Sequence, residues 1–350
     1  MSELIVEQVG AVGHIQLNRP QALNALTLDM VLGMRDALEK WQADSSINAV
    51  VVSGAGDRAF CAGGDVKAAW RAGRAGEIGP GSLTDRFFRE EYQLNHQIAN
   101  YDKPYVAWLD GITMGGGVGV SILGSHRLAS EHMKFAMPET AIGFFPDVGG
   151  SYFLSRLGPN GSMLATTGIA IDFADSLSLG IATHYVPRRD KEELVQLIGE
   201  HGIEEAISRC AKEPPAVNGS VEWVCQQCFS SFEIDDILTA LESNADHPQH
   251  GSFVQKLLGA IKQRSPTSIQ LTLEQLRRGA TMELDECLKM EFRMSQACMR
   301  GHDFFEGVRS VLVDKDHAPK WSPASHDKVD SALVNSHFAS LGEHELQLHY

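Results

Sequence analysis

An α/β domain followed by a helical region is the architecture that this 350-residue sequence predicts. Short β-like runs alternate with helical ones through the first half, and the strand signals fade after about Val186. A composition of 43% hydrophobic and 21% charged residues is that of a soluble globular chain, long enough to bury a substantial core. Residues 1–190 are therefore expected to form the α/β core and residues 191–350 a helical C-terminal region.

Each element has its own signal. His14-Ile-Gln-Leu17 follows a glycine and predicts a strand. Leu28 to Trp41 carries apolar residues at helical spacing, with Thr27 placed to cap its first turn. Ala49 to Ser53 is a buried-strand run closed by the turn residues Gly54 and Gly56. Arg71 to Ser82 is rich in glycine and predicts an exposed loop, and Arg86 to Tyr101 predicts a helix. Tyr105 to Trp108 predicts a strand, Gly116 to Leu123 a glycine-started helix, and Arg127–Ser130 and Met133–Phe135 short strands. Helices are then expected at Lys191–His201, Glu204–Ala211, Val221–Phe229, Glu233–Ser243, Ser252–Arg264, Ser268–Gly279 and Asp285–Arg300.

The bulk charge narrows the partners. A formal net charge of -15 repels phosphate-rich surfaces, so neither nucleic acid nor a membrane surface is expected as a general partner. The first twenty residues lack the basic and apolar regions of a signal peptide, and no run is long and apolar enough to span a bilayer. The six cysteines are scattered, which fits reduced thiols in a cytoplasm. Cys225 and Cys228 form a lone CxxC without a second pair at zinc spacing, and read as helical thiols. The tail histidines His326, His337, His344 and His349 follow no ligand spacing and are expected at the surface. Trp70, Trp108, Trp223 and Trp321 are expected to pack, and Cys61 to be a small buried residue.

Three glycine-rich segments could carry chemistry. The first, Arg58 to Lys67, follows a strand; Gly63 and Gly64 would let the backbone turn and a ligand approach the amides. The second, Asp110 to Gly119, contains Gly115-Gly116-Gly117 where a helix is expected to start, a setting that suits an anionic oxygen. A dinucleotide fingerprint fails on spacing, because positions 120 and 122 hold Val120 and Ile122, and Walker and GxSxG patterns are absent. Two backbone donors aimed at one carbonyl would instead form an oxyanion hole, suited to a thioester.

The third segment, FAMPETAIGFFPDVGG from Phe135 to Gly150, places Glu139 and Asp147 each after a proline in dry surroundings. Different environments would give the two acids different roles. On spacing alone, however, each reads as the cap of a short helix, Asp147 capping one that begins near Gly149.

AFCAGGDV, DGITMGGGVG and FAMPET, in that order and spacing, resemble the crotonase (enoyl-CoA hydratase/isomerase) superfamily over about Leu4 to Val186. Residues Arg89 to Tyr92 (REEY), the PDVGG run and His302 to Trp321 extend the resemblance to its 3-hydroxyisobutyryl-CoA hydrolase branch over nearly the whole chain. The resemblance implies a spiral of ββα units with a C-terminal helical region, and homo-oligomers. It implies oxyanion-hole amides at Gly64 and Gly116, acids at Glu139 and Asp147, and a substrate-contacting acid at Glu91. Coenzyme A, part of the substrate, would lie along Ala62, Gly63, Gly64 and Asp65, with Lys67 and Lys315 toward its phosphates. No metal and no separate cofactor is implied. Enoyl-CoA hydratases carry a glutamate two residues after the glycine triplet's last member, where this chain has Gly119. That departure, with Asp147 present, implies a thioester hydrolase rather than a hydratase; an enoyl-CoA hydratase or isomerase, or a non-catalytic acyl-CoA-binding protein, are the alternatives.

Overall fold

The computed structural model describes residues 2–217 and 219–349. A β-hairpin opens the chain, β1 (Leu4–Val9) and β2 (Val12–Leu17), followed by helix α1 (Leu28–Ala43). Next come β3 (Ala49–Gly54), β4 (Ala59–Cys61), α2 (Val66–Arg74) and α3 (Leu83–Ala99). β5 (Tyr105–Leu109), β6 (Ile112–Met114) and the single turn α4 (Gly116–Gly119) form the following unit. β7 (His126–Ala129) and β8 (Lys134–Ala136) lead through a 3-10 turn at Glu139–Ile142 into α5 (Gly150–Arg156) and α6 (Pro159–Thr167). β9 (Ile171–Asp172), α7 (Phe173–Ser178) and β10 (His184–Tyr185) end the strand-bearing part.

The rest is helical. It comprises α8 (Lys191–His201), α9 (Ile203–Cys210), α10 (Ser220–Cys228), α11 (Ile234–Ser243), α12 (Gly251–Gln263), α13 (Pro266–Gly279), α14 (Leu284–Cys298), α15 (Asp303–Val308) and α16 (Ser331–Ser336). Seven of these stand where apolar spacing predicts them.

The strands form two sheets. One runs β1-β2-β3-β5-β7-β10 and the other β4-β6-β8-β9. Apart from the opening hairpin and the β8–β9 pair, neighbouring strands are parallel. Consecutive strands alternate between the sheets: β3 then β4, β5 then β6, β7 then β8. Each pair is followed by helix or turn, so the chain spirals in ββα units, as the resemblance implies.

Both faces of the larger sheet are covered, which its uninterrupted Val-rich strands require. Val50, Val52 and Ala107 face the main core with α1 and α3. Val51, Val106 and Trp108, pointing the other way by the period of two, pack on Leu194, Ile198, Ile203 and Ile207 of α8 and α9. The later helices α10 to α14 contribute to the same core as the sheets, through Val224, Ile237, Leu257, Leu276 and Phe292.

Some boundaries differ from expectation. Arg71–Arg74 belong to α2 rather than to a loop, because Ala69, Ala72 and Gly73 of that turn are buried and a methyl at Gly73 would overlap Phe305. Helix α3 starts earlier because Ser82 caps it, accepting from Asp85 N at 3.2 Å. Helix α4 stops after four residues, in keeping with the poor helix propensity of its glycines. His337 is buried rather than at the surface, with Nδ1 2.9 Å from Leu333 O.

Candidate active site

Three parallel strands of the smaller sheet end side by side, and the residues that follow them converge. Register pairs Cys61 of β4 with Thr113 of β6, and Thr113 with Phe135 of β8. Beyond these carboxyl ends the chain delivers Gly63 and Gly64, then Gly115 and Gly116, then Glu139. Ligands in open parallel sheets gather at such ends.

The approach is tight. A methyl group on Gly116 would lie 2.6 Å from Glu91 Oε1 and 3.1 Å from Gly64 N. One on Gly115, whose φ is +51°, would lie 3.0 Å from Glu139 Oε1 and 3.4 Å from Gly63 Cα. Glu91 and Glu139 therefore flank the meeting point of the two glycine segments. Gly116 is the first residue of α4, where an amide has no partner within its own helix. Among the described residues neither the Gly64 nor the Gly116 amide donates to a protein acceptor.

Three acids line this point, and all are buried: Glu91 is 2%, Asp147 6% and Glu139 7% exposed. Glu91 Oε1 and Glu139 Oε2 have no protein hydrogen-bond partner among the described residues. Asp147 Oδ2 accepts from the Tyr92 hydroxyl at 2.8 Å. Burial raises the pKa of all three, and like charge adds to it: Asp147 then Glu139 act on Glu91, and Asp147 acts on Glu139. Asp147 is pushed up to about 7 by burial, against the Tyr92 hydrogen bond.

The helix-cap reading of the two acids does not hold. Pro138, not Glu139, occupies the cap of the 3-10 turn, and the Glu139 side chain makes no capping bond. The cap of α5 is Gly149, and its first-turn amides go to a residue far along the chain. Glu291 of α14 accepts from Gly149 N through Oε2 and from Ser151 N through Oε1, both at 2.8 Å. Asp147 is thereby left free to face Tyr92.

Position 119 is closed to any side chain. A methyl on Gly119 would lie 2.6 Å from Val148 Cβ and 2.9 Å from Asn95 Nδ2. Neither polar atom of the buried Asn95 amide has a protein partner among the described residues. Asn95 stands one helical turn after Glu91 on α3.

The other expected binding residues are more peripheral. Asp65 caps α2 through Oδ1, 3.2 Å from Ala68 N, and pairs with Arg19 through Oδ2 at 3.1 Å. Its carboxylate is thus committed to structure, leaving its peptide to line the strand end. Ala62 N is held by Leu23 O at 3.0 Å. Lys67 is half-buried on α2. Lys315 is exposed at a φ of +59°, between Asp314 and Asp316, which pair with Arg309. A cleft of 260 Å³ opens beside Gly64, lined by Thr27, Leu28, Asp65, Ala69, Leu83 and Phe87 among others. Cys61 is fully buried and its thiol pushed up to about 12 by burial.

Sequence reasoning missed Tyr92, Asn95, Gln275 and Glu291. Glu291 had one signal: it stands in register with Cys287, Leu288, Met294 and Cys298, an acid on the apolar stripe of its helix.

Comparison with known proteins places these features in context. Residues 12–338 match a family model described as enoyl-CoA hydratase/isomerase. The chain is similar to the mitochondrial 3-hydroxyisobutyryl-CoA hydrolase of Danio rerio, 44% identical and covering 99% of this chain and 92% of that one. It is 42% identical to the protein of that name from Homo sapiens, covering 99% and 90%. Among solved structures it resembles a carnitinyl-CoA dehydratase from Mycobacterium thermoresistibile, with a TM-score of 0.91, 40% identity and 99% coverage of both chains. An enoyl-CoA hydratase from Rhodobacter sphaeroides also gives a TM-score of 0.91, at 34% identity over 99% of this chain and 100% of that one.

Proposed function

The chain belongs to the enoyl-CoA hydratase/isomerase family, and from that premise we propose that it hydrolyses the thioester of 3-hydroxyisobutyryl-CoA, giving 3-hydroxyisobutyrate and free coenzyme A. One observation carries the choice of hydrolysis over hydration: position 119 has no room for an acid, whereas Asp147 stands buried beside Tyr92 in the same cluster as Glu139. The whole-chain similarity to hydrolases agrees with it.

In this reading the Gly64 and Gly116 amides receive the carbonyl oxygen of the thioester. Both are unpartnered and already oriented, so they stabilise the developing oxyanion without reorganising. Glu139 works at the carbonyl carbon. As general base it takes a proton from water, whose oxygen then bonds to that carbon as the C–S bond breaks and the thiolate leaves. As nucleophile it would first form a mixed anhydride, which water then opens. Asp147 orients water or substrate against this centre. Glu91, on the opposite side of Gly116, receives the hydroxyl of the acyl group. Ala62, Gly63, Asp65 and Lys67 border the coenzyme A path, with the cleft beside Gly64 at its mouth. The reaction consumes only water, so the proposal includes no separate cofactor.

The proposal extends to assembly and place. A homo-oligomer, to be measured by sedimentation, is part of it. No helix among the described residues is long and apolar enough to cross a membrane. All six cysteines are free and buried, which suits a reducing compartment, and we assign the cytoplasm. The relatives named above are mitochondrial, so cell fractionation decides between the two compartments.

Purified protein is expected to release thiol from 3-hydroxyisobutyryl-CoA, and Glu139→Gln and Asp147→Asn are each expected to slow it by about 100-fold or more. Undiminished thiol release in both variants rejects the roles. Rapid hydration of crotonyl-CoA with little thiol release would make the protein a hydratase instead. A single turnover in ¹⁸O-water identifies the nucleophile route when water opens the anhydride at the Glu139 carbonyl, because the first product then carries a Glu139 oxygen and the label stays on Glu139.

A further inference from the structure

The segment that carries Asp147 is held by side chains from more than 120 positions further along the chain. Gln275 of α13 donates through Nε2 to Pro146 O at 2.6 Å and to Ser151 Oγ at 2.8 Å. Glu291 of α14 takes the Gly149 and Ser151 amides, both at 2.8 Å. Both side chains are completely buried. These four bonds bracket Asp147 and Val148 from both ends.

What they bracket is a strained turn. Val148 has a φ of +54° and Gly149 one of +88°. A β-branched residue at positive φ is a backbone outlier that persists only where its surroundings over-determine it. A Ser or Asn at position 149 would sit at that left-handed φ rather than in the extended conformation from which a side chain caps, so the amides are taken by a carboxylate from outside. A carboxylate differs in having two acceptor oxygens, which here span the amides on either side of Gly150.

We propose that Glu291, assisted by Gln275, is a positioning residue for the reaction, holding the Pro146–Ser151 turn so that the Asp147 carboxylate faces Tyr92 and the Glu139 centre. The proposal rests on the reading of Asp147 as a working acid. It also gives the helical second half of the chain a part in the chemistry. The titratable groups set around Asp147 are Tyr92 and Glu91 on α3, Glu139 on the neighbouring turn, and Glu291 and Cys298 on α14.

Glu291→Gln tests it. The carboxamide accepts from only one of the two amides and turns a donor toward the other. A displacement of about 1 Å costs roughly 100-fold in rate. The expected result is a kcat lower by about 10- to 100-fold with KM changed less than about threefold, in protein whose circular dichroism matches the parent. Burial, not Glu291, raises the Asp147 carboxyl, so the acidic limb of kcat/KM is expected to stay where it is in the parent. Gln275→Met, which keeps every charge, is expected to lower kcat in the same way with KM little changed. The proposal is overturned if both folded variants keep the parent kcat, or if kcat falls only in proportion to the folded fraction. Should Glu291→Gln fail to fold, the kcat of folded Gln275→Met decides alone. Asp147→Asn separates the two levels: if it retains full activity, the reading of Asp147 fails, whereas if it is inactive and the other variants are normal, only the positioning role fails.

Discussion

Gly116 shows how little freedom a single position has here. Its α-carbon stands between the Glu91 carboxyl and the Gly64 amide, with 2.6 Å and 3.1 Å left for any methyl. Gly116→Ala is expected to push those groups apart and lower kcat by about 100-fold or more, roughly the 3 kcal/mol that one oxyanion donor supplies. Steady-state thiol release at saturating substrate measures it, and a kcat within threefold of the parent would remove the amide pair from the mechanism. Gly119 makes the complementary case. Gly119→Glu restores the acid of the hydratase pattern, yet its Cβ alone would overlap Val148 and crowd Asn95. Overpacking of this kind costs about 1–3 kcal/mol. The expected outcome is a lower melting temperature and no hydration of crotonyl-CoA.

Among the elements, α3 serves the site and the scaffold at once. One face presents Glu91, Tyr92 and Asn95 to the site. The other is strapped by the C-terminal segment: Arg89 donates to His344 O at 3.1 Å and Glu345 O at 3.2 Å, and Gln93 donates to Gln347 O. Glu345 in turn pairs with Arg293 of α14 at 2.8 Å, and Leu346 is 1% exposed. The strap thus ties α3 to the helix that carries Glu291. Leu346→Ala is expected to cost about 2–4 kcal/mol in denaturant unfolding, because a buried leucine is emptied. If α3 is held only by the sheet, the loss will be below about 1 kcal/mol.

The elements also show what was legible in the sequence. Gly64, Gly116 and Glu139 each follow a short strand within a few residues, so local motifs carried them. Asp147 was visible through the Pro-Asp step of the PDVGG run. Its release from capping was not, because the acid that replaces it stands 144 positions later. Glu291 and Gln275 could be recognised only as polar residues on apolar helical stripes, a pattern that gives burial but not the partner. The α2 boundary was misread because glycine at position 73 signals a turn in one dimension and close packing on Phe305 in three.

At the scale of the whole molecule, Glu91, Glu139, Asp147 and Glu291 are buried without a basic partner among the described residues, and this leaves a thermodynamic signature. Asp147 titrates at about 7 when folded and near 3.9 when unfolded. Below about pH 4 both states hold its proton, and its contribution is fully present. As pH rises toward 7 the unfolded chain releases that proton while the native protein keeps it, so stability is lost over this window. Histidines such as the half-buried His14 and the buried His337, with pKa lowered by burial, pull the opposite way. Comparing the parent with Asp147→Asn cancels them. The parent is expected to lose stability relative to the variant between pH 4 and pH 7, read by chemical denaturation at each pH. A constant difference across that range would mean that the folded carboxyl titrates normally.

The alternation of strands between two sheets has a consequence for how such a molecule changes over generations. The amide pair belongs to two spokes of a wheel, β4 and β6, and the acids to others, the β8 turn, the α5 arm and α3. Each spoke ends in its own loop, rooted in its own strand or helix. A second acid can therefore be retired from one spoke and installed on another while the hub stays untouched, provided a distant brace such as Glu291 arises with it. New chemistry on this frame is then a matter of paired inheritance, an arm together with the side chain that steadies it.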